Sequence, residues 1–386
     1  MVDGEHTGAA YSDPFPARAP LRLLVFADSF GPTQAISFIE GLARARGAGQ
    51  AAVRIVEEEA FGEDAGARGA GLARAVVEAH IERTDPTAVV LSRFGHAAAY
   101  QGIVAAARAR GLPVVMHIDD DQFELPLTTG IDRYRTVRHP RRTHTLHRAL
   151  TEADLVIATT PALADQLSRR AGHGRIGWLD HGAGGEPHLR RPKPDGAPVV
   201  IGYMGSASHG PDLEMVIPAL NAVAADIPNV QLELFGSIAR AADPDLLPKG
   251  TVLRNSVAGD YRSFRDALAA LEWDIGLAPL HATPYNLCKT ATKWTEYAEA
   301  GIATLVSDMP VYRPMVEADA AAPVGPAPEQ WTSALKRLAT SPDLRQTLVQ
   351  NADALLTARF GWERLESRLI GLIDVARARL PSLSAA

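Results

Sequence analysis

Three observations predict a fold of two α/β domains, each a parallel sheet covered by helices. The chain has 386 residues, too long for one ordinary compact domain and suited to two of common size. Short apolar runs alternate with amphipathic helical stretches, the rhythm of a parallel sheet covered on both faces. The rhythm breaks at Arg190-Arg-Pro-Lys-Pro-Asp-Gly-Ala-Pro198 and then restarts. Alternating prolines followed by Gly and Pro make a poor helix or strand, so 191–198 reads as a linker between domains at 21–190 and 199–361.

The elements follow in order. Residues 1–20 are polar and rich in Ala, Gly and Pro, and read as a flexible tail. They show no basic start followed by an apolar core, so they do not read as a secretory signal. Leu21–Ala27 is continuously apolar apart from Arg22, as a buried parallel strand should be. After the loop Asp28–Thr33, residues Ile36, Ile39, Leu42 and Ala43 fall at helical spacing. Strands are expected at 88–91, 113–118 and 154–158, with helices at 103–110, closed by Gly111, and at 161–170. In the second half, strands are expected at 199–203, 230–235, 251–253, 273–278 and 303–307. Pro211 suits a first helical position, and Leu213, Val216, Ile217, Leu220 and Val223 mark one buried helix face. A last helix runs from about 360 to 380. Two such domains place a cleft at the carboxyl ends of their sheets, where open α/β folds bind ligands. That locates a site without naming a chemistry.

Composition excludes several classes. A formal net charge of −6 argues against a dedicated nucleic-acid binder, which normally carries a large basic excess. Cys288 is the single cysteine, so no intrachain disulfide forms and no oxidising compartment is needed. No apolar run approaches the ~20 residues that cross a bilayer. A soluble, cytoplasmic protein is expected.

The most informative segment is Pro284-Tyr-Asn-Leu-Cys-Lys-Thr-Ala-Thr-Lys-Trp-Thr-Glu-Tyr-Ala-Glu-Ala-Gly301, between two buried strands. A helix starting near Lys289 would present Lys289, Lys293 and Glu296 on one face. Its free N–H groups and partial positive charge suit a phosphate, and a lysine there adds full charge. A carboxylate farther along can accept both hydroxyls of a ribose. The alternative is a surface helix with Lys–Glu pairs, worth only ~0.3–0.5 kcal/mol each.

Gly202-Tyr-Met-Gly-Ser206, Asp274-Ile-Gly-Leu-Ala-Pro279, Asn286-x-x-Lys289-Thr290-x-x-Lys293-x-x-Glu296-Tyr297 and Gly301-Ile302 together resemble bacterial glycosyltransferases of the GT-B fold, family 4 type. The resemblance runs from about Leu21 to Trp362 and implies two Rossmann-like domains facing across a central cleft. It implies a nucleoside diphosphate sugar as donor and co-substrate, with no other cofactor and no catalytic metal. The acceptor would be a glycan, a lipid-linked or a small-molecule hydroxyl, and the anomeric configuration would be retained. Lys289 and Thr290 would bind the donor diphosphate and Glu296 the ribose. Further donor contacts are expected at Gly205, Ser206, His209, Asn286 and Lys293. The C-terminal segment 362–386 would pack back on the first domain. Two departures stand out. Cys288 occupies a position where many members have glutamate, and Gly205-Ser-Ala-Ser-His-Gly210 lacks the Arg and Lys found there in many members.

In the first domain, Met116-His-Ile-Asp-Asp-Asp-Gln-Phe123 closes a buried strand. Three adjacent carboxylates repel one another and should raise at least one pKa, which suits proton transfer. Asp119 and Asp120 are the catalytic candidates, for contact with the acceptor or the transferred sugar. Capping by one aspartate is the structural alternative, and a hard cation is another. His117 reads as a structural histidine. Gly31, in the first βα turn, and Arg93, at a strand end, are candidate donor or acceptor contacts. The basic run Arg133–Arg148 reads as a solvated face or as a peripheral contact with an anionic membrane surface.

Rival readings are a sugar-nucleotide 2-epimerase, a solute-binding protein, and a catalytically silent relative. The missing secretion signal counts against the solute-binding protein. A nicotinamide-dependent enzyme is disfavoured because Asp28-Ser-Phe-Gly31 does not open a Gly-x-Gly-x-x-Gly turn.

Overall fold

The computed structural model describes residues 9–13, 19–62, 66–184, 193–194, 196–255 and 260–380. Most of the tail and part of the 191–198 linker lie outside the described residues. By residue contacts the chain divides into two compact units, one within 1–125, 134–182 and 362–386, the other within 126–133 and 183–361. The division falls before the Pro-rich stretch because Ala183 already belongs to the second unit's core. Its N–H donates to the Phe360 carbonyl at 2.8 Å, and its methyl packs in the cluster around Trp294.

The first unit is built on one sheet. Its strands are β1 (Ala9–Ser12), β2 (Leu21–Ala27), β3 (Ala51–Glu57), β4 (Ala88–Ser92), β5 (Val114–Ile118), β6 (Leu155–Ala158) and β7 (Ile176–Trp178). They lie in the order β1-β3-β2-β4-β5-β6-β7. All pairs are parallel except β1 with β3, so part of the segment read as a tail is an antiparallel edge strand. Strand β3 was not evident in the sequence, since its alanines and Arg54 break the apolar run. The helix Trp362–Ala378 sets Leu365, Leu369, Ile373 and Ala376 on one stripe. That stripe shares a core with Leu23, Val25, Val90 and Val115, so the C-terminal helix is part of the first unit.

The second unit has strands β8 (Val199–Met204), β9 (Val230–Phe235), β10 (Val252–Arg254), β11 (Ile275–Ala278), β12 (Ala303–Ser307) and β13 (Ala322–Val324). Their order is β10-β9-β8-β11-β12-β13, all parallel. Counted from β8 this is 3-2-1-4-5-6, the doubly wound order whose strand reversal lies between the first and fourth strands. Helices Ile217–Asp226 and Pro328–Thr340 cover one face, with Leu220, Val223, Trp331 and Leu335 in the core beneath.

Two helices differ from expectation. The helix after β8 is split at Met215 and Val216, because Pro218 has no N–H and its ring crowds the preceding turn. The helix expected near Lys289 begins only at Thr292. The chain first makes a single turn, Pro284–Leu287, capped by Thr283, whose hydroxyl accepts the Asn286 N–H at 3.1 Å. Hydroxyls of Thr290 and Thr292 then bond each other at 2.6 Å, the kind of local bonding by which threonine competes with helix backbone. Lys289 and Thr290 therefore stand in the turn ahead of the helix Thr292–Glu299.

Candidate functional site

In the second sheet the chains leaving β8 and β11 diverge, and the space beyond their carboxyl ends is the ligand position of such folds. Met204, the last residue of β8, leads into Gly205. The Gly205 N–H donates to Phe235 O at 3.0 Å, and its carbonyl accepts from Ile238 N at 3.1 Å. Gly236 meets it at φ +104°, where a Cβ would lie 2.5 Å from Gly205 O, so no larger residue fits there. A Cβ on Gly205 would lie 3.5 Å from His209 Cδ2 and 3.7 Å from Lys293 Cε, so turn, imidazole and lysine converge. Gly202 has a different purpose. It lies inside β8, and a Cβ there would come 1.8 Å from the Trp273 ring, so its absent side chain makes room for an indole rather than a ligand.

The helix Thr292–Glu299 carries Lys293 and Glu296 and is bolted down by its aromatics. Tyr297 is buried between β8 and β11; its hydroxyl donates to Leu277 O at 3.2 Å and accepts from Met204 N at 3.0 Å. On the other side, Trp294 Nε1 donates to Ala320 O at 3.0 Å. These contacts fix Lys293 and Glu296 relative to the strand ends. The Lys289 ammonium lies 4.7 Å from the Tyr285 ring centre, and that of Lys293 5.7 Å from the Tyr203 ring, within cation–π range.

Glu296 is 7% exposed and accepts a hydrogen bond from the Tyr261 hydroxyl at 3.0 Å. Burial pushes its carboxyl up to about 8, against the opposing effects of Tyr261 and Lys293. His209 Nδ1 lies 3.0 Å from Asp212 Oδ2. The Lys293 ammonium, with burial second, holds the His209 imidazole down at about 4. Burial alone would raise Asp212, but His209 and the His281 N–H, at 3.1 Å, carry it below its ordinary value.

The other expected donor residues are placed as follows. Ser206 is exposed, its hydroxyl 2.8 Å from that of Ser208. Asn286 is buried and donates its amide to His281 O at 3.0 Å, holding the loop after β11. Sequence reasoning missed Asp212, although its i+3 spacing from His209 was a usable signal. It also missed Tyr261, which meets Glu296 only through the fold.

In the first unit, Asp28 follows β2 and Arg93 follows β4, the adjacent strands where that sheet reverses its order. Arg93 adopts φ +52° and is clamped, Nη2 to Asp28 at 3.1 Å and Nη1 to Asp119 at 3.4 Å. Asp119 Oδ2 also accepts from Thr33 Oγ1 at 2.5 Å, while Oδ1 is buried without a partner. Burial would lower the Arg93 guanidinium, but Asp119, Asp28 and Asp120 together raise it. Arg142 extends the network to Glu58 at 2.8 Å and Asp28 at 3.7 Å. Burial pushes both Asp28 and Glu58 upward. Gly31 caps the short helix after β2, its N–H donating to Gln34 Oε1 at 3.1 Å.

The run of three aspartates divides. Asp119 and Asp120 are half-buried, whereas Asp121 is fully buried and accepts the Phe123 N–H at 3.0 Å. Asp121 is pushed up, chiefly by burial; the mutual repulsion expected of the three acids is not the cause. His117 is buried between Ser92 Oγ at 3.0 Å and Ser37 Oγ at 3.3 Å, a satisfied interior histidine. Within the basic run, Arg142 turns inward, Arg138 donates to Phe123 O, and Arg148 pairs with Glu152 at 2.8 Å; Arg135 and Arg141 are exposed. Among the described residues no group of three or more His, Cys, Asp or Glu could hold a metal ion, and no helix is long and apolar enough to cross a membrane.

No family model matches the chain, and no curated protein matches its sequence. Solved structures do match its fold. Sucrose-phosphate synthase of Thermosynechococcus elongatus aligns at 14% identity and TM-score 0.64, over 93% of this chain and 99% of that one. Anabaena Alr3699/HepE in complex with UDP and glucose aligns at 14% identity and TM-score 0.65, over 92% and 99%. WaaG, a glycosyltransferase involved in lipopolysaccharide biosynthesis, aligns at 14% identity and TM-score 0.61, over 91% and 99%. The chain has the fold these proteins share, GT-B, with two Rossmann-like α/β domains.

Proposed function

We propose that this protein transfers a sugar from a nucleoside diphosphate sugar to a hydroxyl of a glycan, lipid-linked or small-molecule acceptor. The observation that carries the proposal is the convergence of the Gly205 turn, His209 and Lys293 at the reversal point of a 3-2-1-4-5-6 sheet, with buried Glu296, bonded to Tyr261 of a neighbouring helix, on the same helix as Lys293. In this reading Lys289, Lys293, Thr290 and the first N–H groups of Thr292–Glu299 take the donor diphosphate. Glu296, nearly a turn beyond Lys293, takes the ribose hydroxyls. The diphosphate gathers negative charge as the sugar departs, so cations and donors already in place lower the barrier. They also replace a catalytic metal.

Asp119, braced by Thr33 and Arg93, and Asp120 are assigned to the acceptor hydroxyl or the transferred sugar. Retention is assigned from the family resemblance as a whole and from no particular residue. The fold's likeness to a protein solved with UDP and glucose supports the donor class.

The test is thermal stabilisation of the purified protein by UDP, GDP, dTDP and their sugar conjugates, repeated with Lys289→Ala and Glu296→Ala. Stabilisation by one nucleotide, lost in both variants, is expected. No response to any nucleotide would leave the silent-relative reading in front.

A further inference from the structure

The turn after β8 contains a hydrogen-bonded His–Asp pair where the resembling family has permanent cations. Asp212 is buried and accepts two hydrogen bonds, from His209 Nδ1 at 3.0 Å and from the His281 N–H at 3.1 Å. An ionised carboxylate only accepts, so the proton of a neutral His209 sits on Nδ1 and Nε2 is left as a bare lone pair. The Cδ2 edge of the ring, next to Nε2, faces the position a Gly205 Cβ would take, beside Lys293. A phosphate oxygen is likewise acceptor-only. It can bond Nε2 only if Nε2 first gains a proton.

The charges around the ring come from several elements. Lys293 and Lys289 approach from the 286–299 segment, Asp212 from the helix after the turn, and Tyr203 from β8, its hydroxyl 3.3 Å from His209 O. His281 stands beyond Asp212, with Nε2 on Pro211 O at 3.1 Å. The segment Leu127–Thr129, grouped with this unit, adds no charge.

We infer that His209 is the donor site's third cation, created on binding: the diphosphate neutralises Lys289 and Lys293, and His209 takes up one proton at Nε2 to become an imidazolium held between Asp212 and a phosphate oxygen. This rests on the donor-site reading above and supplies the positive charge that Gly205–Gly210 lacks. Without ligand, Lys293, burial and, after them, Lys289 hold the ring neutral near pH 7; the opposing charge of the phosphates offsets the lysines' share of that suppression. The proton comes from solvent, and no bond is broken.

The test is calorimetric titration with UDP-, GDP-, dTDP- and ADP-glucose. Their doubly esterified diphosphates have no ionisation near neutrality, so uptake is the protein's own. Each titration is run in buffers of different ionisation enthalpy between pH 6 and 8, on the native protein, His209→Gln and His209→Arg. Glu296, if it releases a proton on meeting ribose, does so in all three proteins, and the difference between them isolates His209.

The native protein should take up as much as about one proton more than His209→Gln, and its affinity advantage over that variant should grow up to about tenfold per pH unit as pH falls. His209→Arg should restore affinity at pH 8 without the added uptake, which a merely structural role for the ring would not do. Equal proton uptake in native protein and His209→Gln overturns this inference and leaves the donor site standing. No binding of any of the four nucleotide sugars overturns both.

Discussion

Replacing Glu296 with glutamine should stabilise the protein, and increasingly so at higher pH. Glu296 is buried and accepts a hydrogen bond from the Tyr261 hydroxyl, and burial raises its carboxyl from 4.5 to about 8. In the unfolded chain the same group ionises near its ordinary value. Between those two values the unfolded state binds fewer protons than the folded one, so stability falls as pH rises. The loss is below about 1 kcal/mol at pH 5, about 3 at pH 7, and approaches about 5 above pH 8, from 1.36 kcal/mol per pKa unit. Glutamine keeps an acceptor for Tyr261 and carries no charge, so it escapes this loss. Urea unfolding followed by tryptophan fluorescence suits the assay, because Trp273, Trp294 and Trp331 all lie buried in the second unit. The two proteins should have similar midpoints at pH 5 and diverge steadily to pH 9, glutamine above. Coincident or parallel midpoints across that range would refute the reasoning, and so would a glutamine variant that is weaker at pH 9.

Other outcomes follow from the same contacts. Gly202→Ala forces a methyl to within 1.8 Å of the Trp273 ring and should cost about 1–3 kcal/mol, read as a lowered Tm. Arg142→Met strips the half-buried Glu58 and Asp28 of a shared cation and should cost about 1–3 kcal/mol, with Glu58→Gln in the same chain recovering part of it; a double-mutant cycle with no coupling would contradict this. Asp119→Asn should cut sugar transfer by about 100-fold or more while the nucleotide Kd stays within about twofold. A large change in that Kd would move Asp119 out of its acceptor-side assignment.

The strands most legible in the sequence were those buried on both faces. Leu21–Ala27, Val230–Phe235 and Ala303–Ser307 stand as written, since a parallel strand covered by helices needs an unbroken apolar run. Ala51–Glu57 was hidden by Arg54 and by alanines that carry little strand preference, and Ala322–Val324 is only three residues long. The helix carrying Lys293 and Glu296 was legible, but its start was not. Thr290 and Thr292 bond each other, a local choice that spacing does not reveal. In the site, Lys289, Lys293 and Glu296 were read from one segment. Their partners were harder: Tyr261 lies 35 residues from Glu296 in sequence, and the Glu58–Arg142–Asp28–Arg93 network joins the ends of three strands to the helix Pro140–Glu152. Asp121 shows the opposite error. Three adjacent aspartates looked like one acidic cluster, yet the fold buries the third and leaves the other two half-exposed.

The most direct test of the central claim is a crystal structure of the protein soaked with the nucleoside diphosphate that stabilises it best. The account expects the phosphates against Gly205, Lys289 and Lys293, and the ribose hydroxyls on Glu296. A nucleotide bound elsewhere, or ordered with its ribose turned away from Glu296, would contradict it.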